Sequence, residues 1–247
     1  MKSENDETEE KEVKPQNRKQ RKAKASAYIR AKKNQRDKSI YTLGGEIFSS
    51  ITHGLGALMG AVVLVVCVIV AALHGRGAIA IVSVCIFGAV AFIGFTISSV
   101  YHALGINTGK RVMRVLDYCS IYFIIAGTYT PFALIGLGGV WGWVIFGINW
   151  VLCAVGTTLT AVNREKYKKF AFICYLCMGW MVLIFIVPLV NAIGLGISFW
   201  LLLAGGIAYT LGAAVFKMKG KYIHGVWHLF TMAGLVLHFF SILYLLV

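Results

Sequence analysis

Seven apolar runs follow one another along this chain, at 47–73, 78–102, 115–137, 140–161, 170–190, 194–216 and 223–246. Each has about the 20 residues needed to cross a hydrocarbon core of roughly 30 Å. Gly75-Arg76-Gly77 separates the first two runs, Gly138-Gly139 the third and fourth, and Asn191 and Gly194 mark the turn after Pro188. Apolar residues make up 58% of the 247 and charged residues only 14%, against about 25% charged in a soluble domain. That leaves too little polar surface to cover a water-soluble fold. The pattern predicts an all-α membrane protein, a bundle of seven transmembrane helices.

Charge orients the bundle. The net charge is +14, which in a soluble chain would suggest a nucleic-acid partner. Its distribution excludes one: thirteen Lys and Arg lie in residues 1–45, and the rest sit in short clusters between apolar runs. Taken on alternate sides of seven spans, the 24 basic residues divide into 23 and a single one, Arg76. Positive charge marks the cytoplasmic side, so the N-terminus is expected inside and the C-terminus outside a cell membrane. An even number of spans does not produce this alternation.

Two domains are expected: a charged cytoplasmic tail over 1–45 and the membrane domain over 46–247. The tail is acidic over 1–12 and basic over 14–38. With few large apolar residues it is expected to be disordered in water, its basic half attracted to anionic lipid headgroups at about 1 kcal/mol per cation. No apolar run in the first 30 residues has the form of a signal peptide. All six cysteines fall in apolar runs and read as small apolar residues, Cys174-x-x-Cys177 included. Expected partners are therefore membrane lipids, with no nucleic acid.

Ionisable groups inside spans are costly and mark function. Beyond residue 45 the only acids are Glu46, Asp117 and Glu165. The predicted topology puts His102 at the inner end of the second span, Asp117 near the start of the third, and His224 and His228 in the first two turns of the seventh. Residues four apart share a helix face, so His224 and His228 form a two-ligand arm that His102 can complete. Three neutral imidazoles with an open fourth position are a catalytic-type zinc set, and zinc lowers the pKa of water to about 7. Asp117 is placed to hold or deprotonate that water, and Ser98, one turn before His102, to orient a ligand or stabilise an oxyanion. Plainer roles exist for each residue. The histidines can bond helix to helix, Ser98 can bond its own backbone one turn back, and Asp117 can pair with Arg111 or Arg114. Glu46 and His53 can form a polar surround. His74 and His238 lie away from the slab.

Five motifs carry a resemblance. Thr52-His53-Gly54-Leu55-Gly56, Ser98-Ser99-Val100-Tyr101-His102, Arg114-Val115-Leu116-Asp117-Tyr118, Gly127-Thr128-Tyr129-Thr130-Pro131-Phe132 and His224-Gly225-Val226-Trp227-His228 occur in order. Over 46–247 the chain resembles the haemolysin III proteins, the bacterial branch of the progestin and adipoQ receptor family. The resemblance implies a seven-span bundle with zinc on His102, His224 and His228, and Asp117 and Ser98 as near neighbours. Related alkaline ceramidases use a similar constellation to hydrolyse lipid amides. Three readings follow: a zinc-dependent hydrolase of a lipid amide or ester, a receptor-like or regulatory protein with structural zinc, and a haemolytic pore. The last is implied by the family name but by no motif.

Overall fold

The computed structural model describes residues 41–247, together with 22–24 and 26–27. The expectations for the 1–45 tail, its disorder and its attraction to anionic headgroups, fall almost wholly outside the described residues. The described part of the compact unit Ile40–Val247 is helical, with no strand among the described residues.

Helix α1 spans Leu43–Leu73 and starts on Thr42, whose hydroxyl accepts the Gly45 N–H. Gly75 and Gly77, both at positive φ, turn the chain into α2, Gly77–Ala103. Asn107 caps α3, Thr108–Pro131, by accepting the Lys110 N–H at 2.8 Å. Pro131 cannot donate a helical hydrogen bond, and the backbone beyond it widens into a π-helical segment, Phe132–Leu137. Helix α4 runs over Gly139–Gly179, α5 over Ile186–Ile193, α6 over Ile197–Phe216 and α7 over Ile223–Leu246.

The largest departure from expectation concerns α4 and α5. The basic segment 164–169 reads as a loop, yet its backbone is helical. Only Asn163 leaves the helical region, at φ −157° and ψ 84°, and its side chain accepts the Lys166 N–H at 3.1 Å. Asn163 is thus an N-cap on which a new helix begins at once. The fifth apolar run, expected unbroken over 170–190, instead stops at Gly179 and tightens to a 3₁₀ turn at Met181–Phe185. Pro188 has no N–H for the Ile184 carbonyl and its ring crowds that group. Tyr129 of α3 repairs the break: its hydroxyl donates to the Gly179 carbonyl at 2.8 Å and accepts the Val182 N–H at 2.9 Å. Inside lipid an unmet backbone group costs several kcal/mol, which gives Tyr129 its purpose. Six stretches of the described chain are long and apolar enough to cross a membrane, one of them the 55-residue stretch Gly139–Ile193.

The helices are inside-out relative to a soluble protein. On α1, Leu55, Leu58, Val62, Val65 and Ile69 face outward, each more than half exposed. Its buried face carries Glu46, Ser49, Thr52, His53, Gly56 and Gly60, at the three- and four-residue spacing of one helical stripe. Polar residues inside and apolar residues outside are what lipid selects. Gly60 and Gly88 let α1 and α2 approach closely, since a Cβ on either would overlap the other helix's backbone. An apolar core of Val63, Cys67, Phe87, Leu235 and Ile242 joins α1, α2 and α7. Arg76 closes one end of the bundle by donating to the Leu245 and Leu246 carbonyls at 2.6 and 2.7 Å. The start of α1, the end of α2 and the starts of α3 and α7 meet at the other end.

Candidate metal centre

His102 enters from the last turn of α2, His224 and His228 from the first two turns of α7. His102 and His228 are buried and His224 is half-buried. One nitrogen of each ring falls within 4.8 Å of the corresponding nitrogen on the other two. The Nε2 atom of His224 is 3.2 Å from Nε2 of His102 and 3.1 Å from Nε2 of His228. Tetrahedral zinc with Zn–N bonds of about 2.0–2.1 Å separates its nitrogen ligands by about 3.3 Å. The three rings are therefore already close to ligand spacing.

The opposite nitrogens of the three rings are each held by another side chain. His102 Nδ1 lies 2.6 Å from Glu46 Oε2, and the other carboxylate oxygen accepts from Lys110 Nζ at 2.9 Å. A carboxylate held by an ammonium accepts only, so the His102 proton is on Nδ1. His228 Nδ1 lies 3.3 Å from the Thr52 hydroxyl, which donates its own proton to the carbonyls of Phe48 and Ser49. With its proton engaged by a carbonyl, Thr52 can accept from a His228 N–H at Nδ1. The three Nε2 atoms thus converge while the opposite nitrogens are engaged, an arrangement that a shared cation fits. His224 Nδ1 meets the Tyr41 hydroxyl at 3.2 Å, with the two rings stacked at 4.2 Å and 18°. Burial holds the Tyr41 phenol above its ordinary pKa, so it stays protonated. Every ring nitrogen opposite the shared centre has a partner, the pattern by which proteins orient histidine ligands.

The remaining candidates lie around this centre. His53 stacks on His228 with ring centroids 3.5 Å apart, and both of its buried nitrogens lack a protein hydrogen bond. Asp117 on α3 is half-buried, beside Ser98 and within electrostatic reach of His102 and Arg164. It is not one of the three close donors. Ser98 is buried beside Asp117, and its hydroxyl makes no hydrogen bond to its own backbone. The plainer expectation, that Ser98 bonds its own backbone one turn back, is therefore not met, unlike at Thr96, which does so at 2.7 Å. His74 is exposed and His238 reaches the Leu202 carbonyl, both away from the triad.

Sequence reasoning missed three members of the surround. Tyr41 precedes the first apolar run, Thr52 is one of many span hydroxyls, and Lys110 reads as a cytoplasmic charge. A signal existed for Thr52, which opens the Thr52-His53-Gly54-Leu55-Gly56 motif.

A profile described as "Haemolysin-III related" matches residues 41–239. Among curated proteins the chain is similar to Hemolysin-3 of Bacillus cereus, at 37% identity over 201 residues, covering 81% of this chain and 90% of the relative. It is 34% identical over 206 residues to the Hemolysin-3 homolog of Bacillus subtilis (strain 168), covering 83% and 96%. The monocyte to macrophage differentiation factor of Homo sapiens is 30% identical over 159 residues, covering 60% and 63%. No solved structure matches. A family match that runs from Tyr41, the residue stacked on His224, past both histidines of α7 places this membrane protein in the haemolysin III family, the branch of the progestin and adipoQ receptor family that its motifs resemble.

Proposed function

We propose that this protein crosses the cell membrane seven times, with its N-terminus cytoplasmic, and hydrolyses a lipid amide or ester with zinc held by His102, His224 and His228. The seventh crossing comes from the stretch Gly139–Ile193. At 1.5 Å per residue its 55 residues would extend about 80 Å as one helix, far beyond a core of roughly 30 Å. A capped break at Asn163 followed by Arg164, Lys166, Lys168 and Lys169 supports two crossings that meet at the cytoplasmic face. Single cysteines at Lys166 and Val247, in a chain whose native cysteines are replaced, are expected to react with an impermeant maleimide from opposite sides of the membrane. Labelling of both from one side would remove the seven-span reading.

The observation that carries the chemistry is the convergence of three Nε2 atoms whose rings are held from behind. Three imidazoles suit zinc and leave a coordination position open. Zinc held there would supply a Lewis acid for a carbonyl and would lower the pKa of a water toward neutrality. Asp117 takes a proton from the attacking water and returns it to the leaving amine or alcohol as the acyl C–N or C–O bond breaks. The Ser98 hydroxyl, beside Asp117, donates to the oxygen that gains charge. A lipid substrate is supported by the setting of the triad at the ends of apolar helices long enough to cross a membrane.

The test is turnover of an acyl-amide and acyl-ester lipid panel by pure protein in liposomes, zinc-loaded beside chelator-stripped. Turnover that is lost with the metal and restored by zinc supports the reading; no turnover by zinc-loaded protein across the panel overturns it. The name shared by the two Bacillus relatives favours a second reading, bilayer permeabilisation. Dye release from the same liposomes, independent of zinc, would support that one instead.

A further inference from the structure

Lys110 is an unusual residue for its position. It sits in the first turn of α3, where the helix dipole disfavours a cation, and it is only 8% exposed. A buried ion pair rarely adds stability over apolar packing, because the desolvation of both charges offsets their attraction. Its ammonium nevertheless makes three hydrogen bonds, to the Leu104 carbonyl at 2.9 Å, the Tyr101 carbonyl at 3.2 Å and Glu46 Oε1 at 2.9 Å. All three of its protons are thereby used. Two of the acceptors are carbonyls at the end of α2, on either side of His102. The third is the carboxylate whose other oxygen holds the His102 ring.

We infer that Glu46 and Lys110 are positioning residues that set the affinity of the metal centre through His102. The inference rests on the metal reading above. Lys110 fixes the backbone that carries His102 and, through Glu46, the rotation and tautomer of its ring. Glu46 comes from α1, His102 from α2 and Lys110 from α3, so one ionic bridge locks three helices at the ligand. The three ligands are unequal in this respect. His102 is backed by a carboxylate at 2.6 Å, whereas His224 and His228 are backed by hydroxyls at 3.2 and 3.3 Å. Charge-assisted bonds are shorter and about twice as strong as neutral ones. A carboxylate behind an imidazole also makes the metal-facing nitrogen a better donor. His102 is thus the strongest donor of the three, and Glu46 makes it so.

The experiment uses the purified full-length chain with Co²⁺ as the probe, read by its visible absorption and by competition with a chromogenic chelator. Wild type, Glu46→Gln, Lys110→Met and the double variant are compared, and the melting of each metal-free form is followed by circular dichroism. Loss of a partner behind a histidine ligand typically weakens metal binding about 10–100-fold. Glu46→Gln is expected to bind one Co²⁺ with a loss in that range and with shifted absorption bands. Lys110→Met is expected to weaken binding by a smaller factor, and the double variant to be no weaker than Glu46→Gln, because both act through one ring. A Glu46→Gln affinity within about threefold of wild type, with unchanged bands, would overturn the inference even if melting falls, since the bridge would then only hold helices together. Glu46→Gln alone decides the matter if Lys110→Met does not fold. Wild type that takes up neither Co²⁺ nor Zn²⁺ would instead bring down the metal reading and this inference with it.

Discussion

His228→Ala is expected to weaken metal binding by about two orders of magnitude and, with it, to remove most metal-dependent stabilisation. Four-ligand structural zinc sites bind with apparent free energies of about 10–16 kcal/mol, or roughly 3 kcal/mol per ligand. Losing one imidazole therefore weakens binding by about two orders of magnitude. Here the loss acts on a three-histidine set, so it leaves only His102 and His224. A ligand that binds the folded state alone stabilises it by about 2.7 kcal/mol at a hundred times its Kd. Wild-type protein stripped by a chelator should thus melt earlier than zinc-loaded protein, and added zinc should restore the transition. His228→Ala should melt near the stripped wild type and respond only slightly to zinc at the same concentration. His102→Ala and His224→Ala should behave alike. The measurement is a thermal scan in detergent beside elemental analysis of the purified variants. One zinc per chain in His228→Ala, with wild-type melting, would show that the ion sits elsewhere and would dissolve the site.

This site was legible from the sequence because two one-dimensional rules locate it. Helical spacing puts His224 and His228 on one face, and alternating charge gives each span a direction and each polar residue a depth. Those rules bring His102 to the same slab without any knowledge of packing. They do not give the rotation of one helix against another, and the surround depends on rotation. Glu46 faces His102 because Gly60 and Gly88 let α1 and α2 pack backbone to backbone with that stripe inward. The ammonium of Lys110 was hidden for a different reason. A lysine beside Arg111 and before Arg114 reads as topology, and only the fold shows it turned inward onto Glu46. The fourth and fifth spans were misread at their junction because charge density suggests a loop, whereas a helix is interrupted only by a residue that changes the backbone. Asn163 does so at one position, and the helix resumes on its side-chain cap. At Ser98 the local rule for a hydroxyl in a helix failed, as such rules tend to fail at functional positions.

Asp117→Asn is expected to keep the metal and the fold and to lose turnover. The amide has the shape of the carboxylate but does not take up a proton, so it removes general acid–base catalysis, worth about 10²–10⁴ in rate. Asp117 stands outside the group of close donors formed by His102, His224 and His228. Zinc content and zinc-dependent melting should therefore stay within error of wild type, while lipid hydrolysis falls by two orders of magnitude or more. Ser98→Ala should behave as a milder version, because it removes one donor to the developing oxyanion and no proton acceptor. This pair of variants separates the enzyme from a receptor-like protein with structural zinc. In the latter the ion only ties α2 to α7, and neither Asp117 nor the Ser98 hydroxyl beside it has work to do. Hydrolysis by Asp117→Asn at the wild-type rate would end the proposed role of the carboxylate. Zinc lost from Asp117→Asn would instead make it a fourth ligand, close the open position, and turn the centre into a structural one.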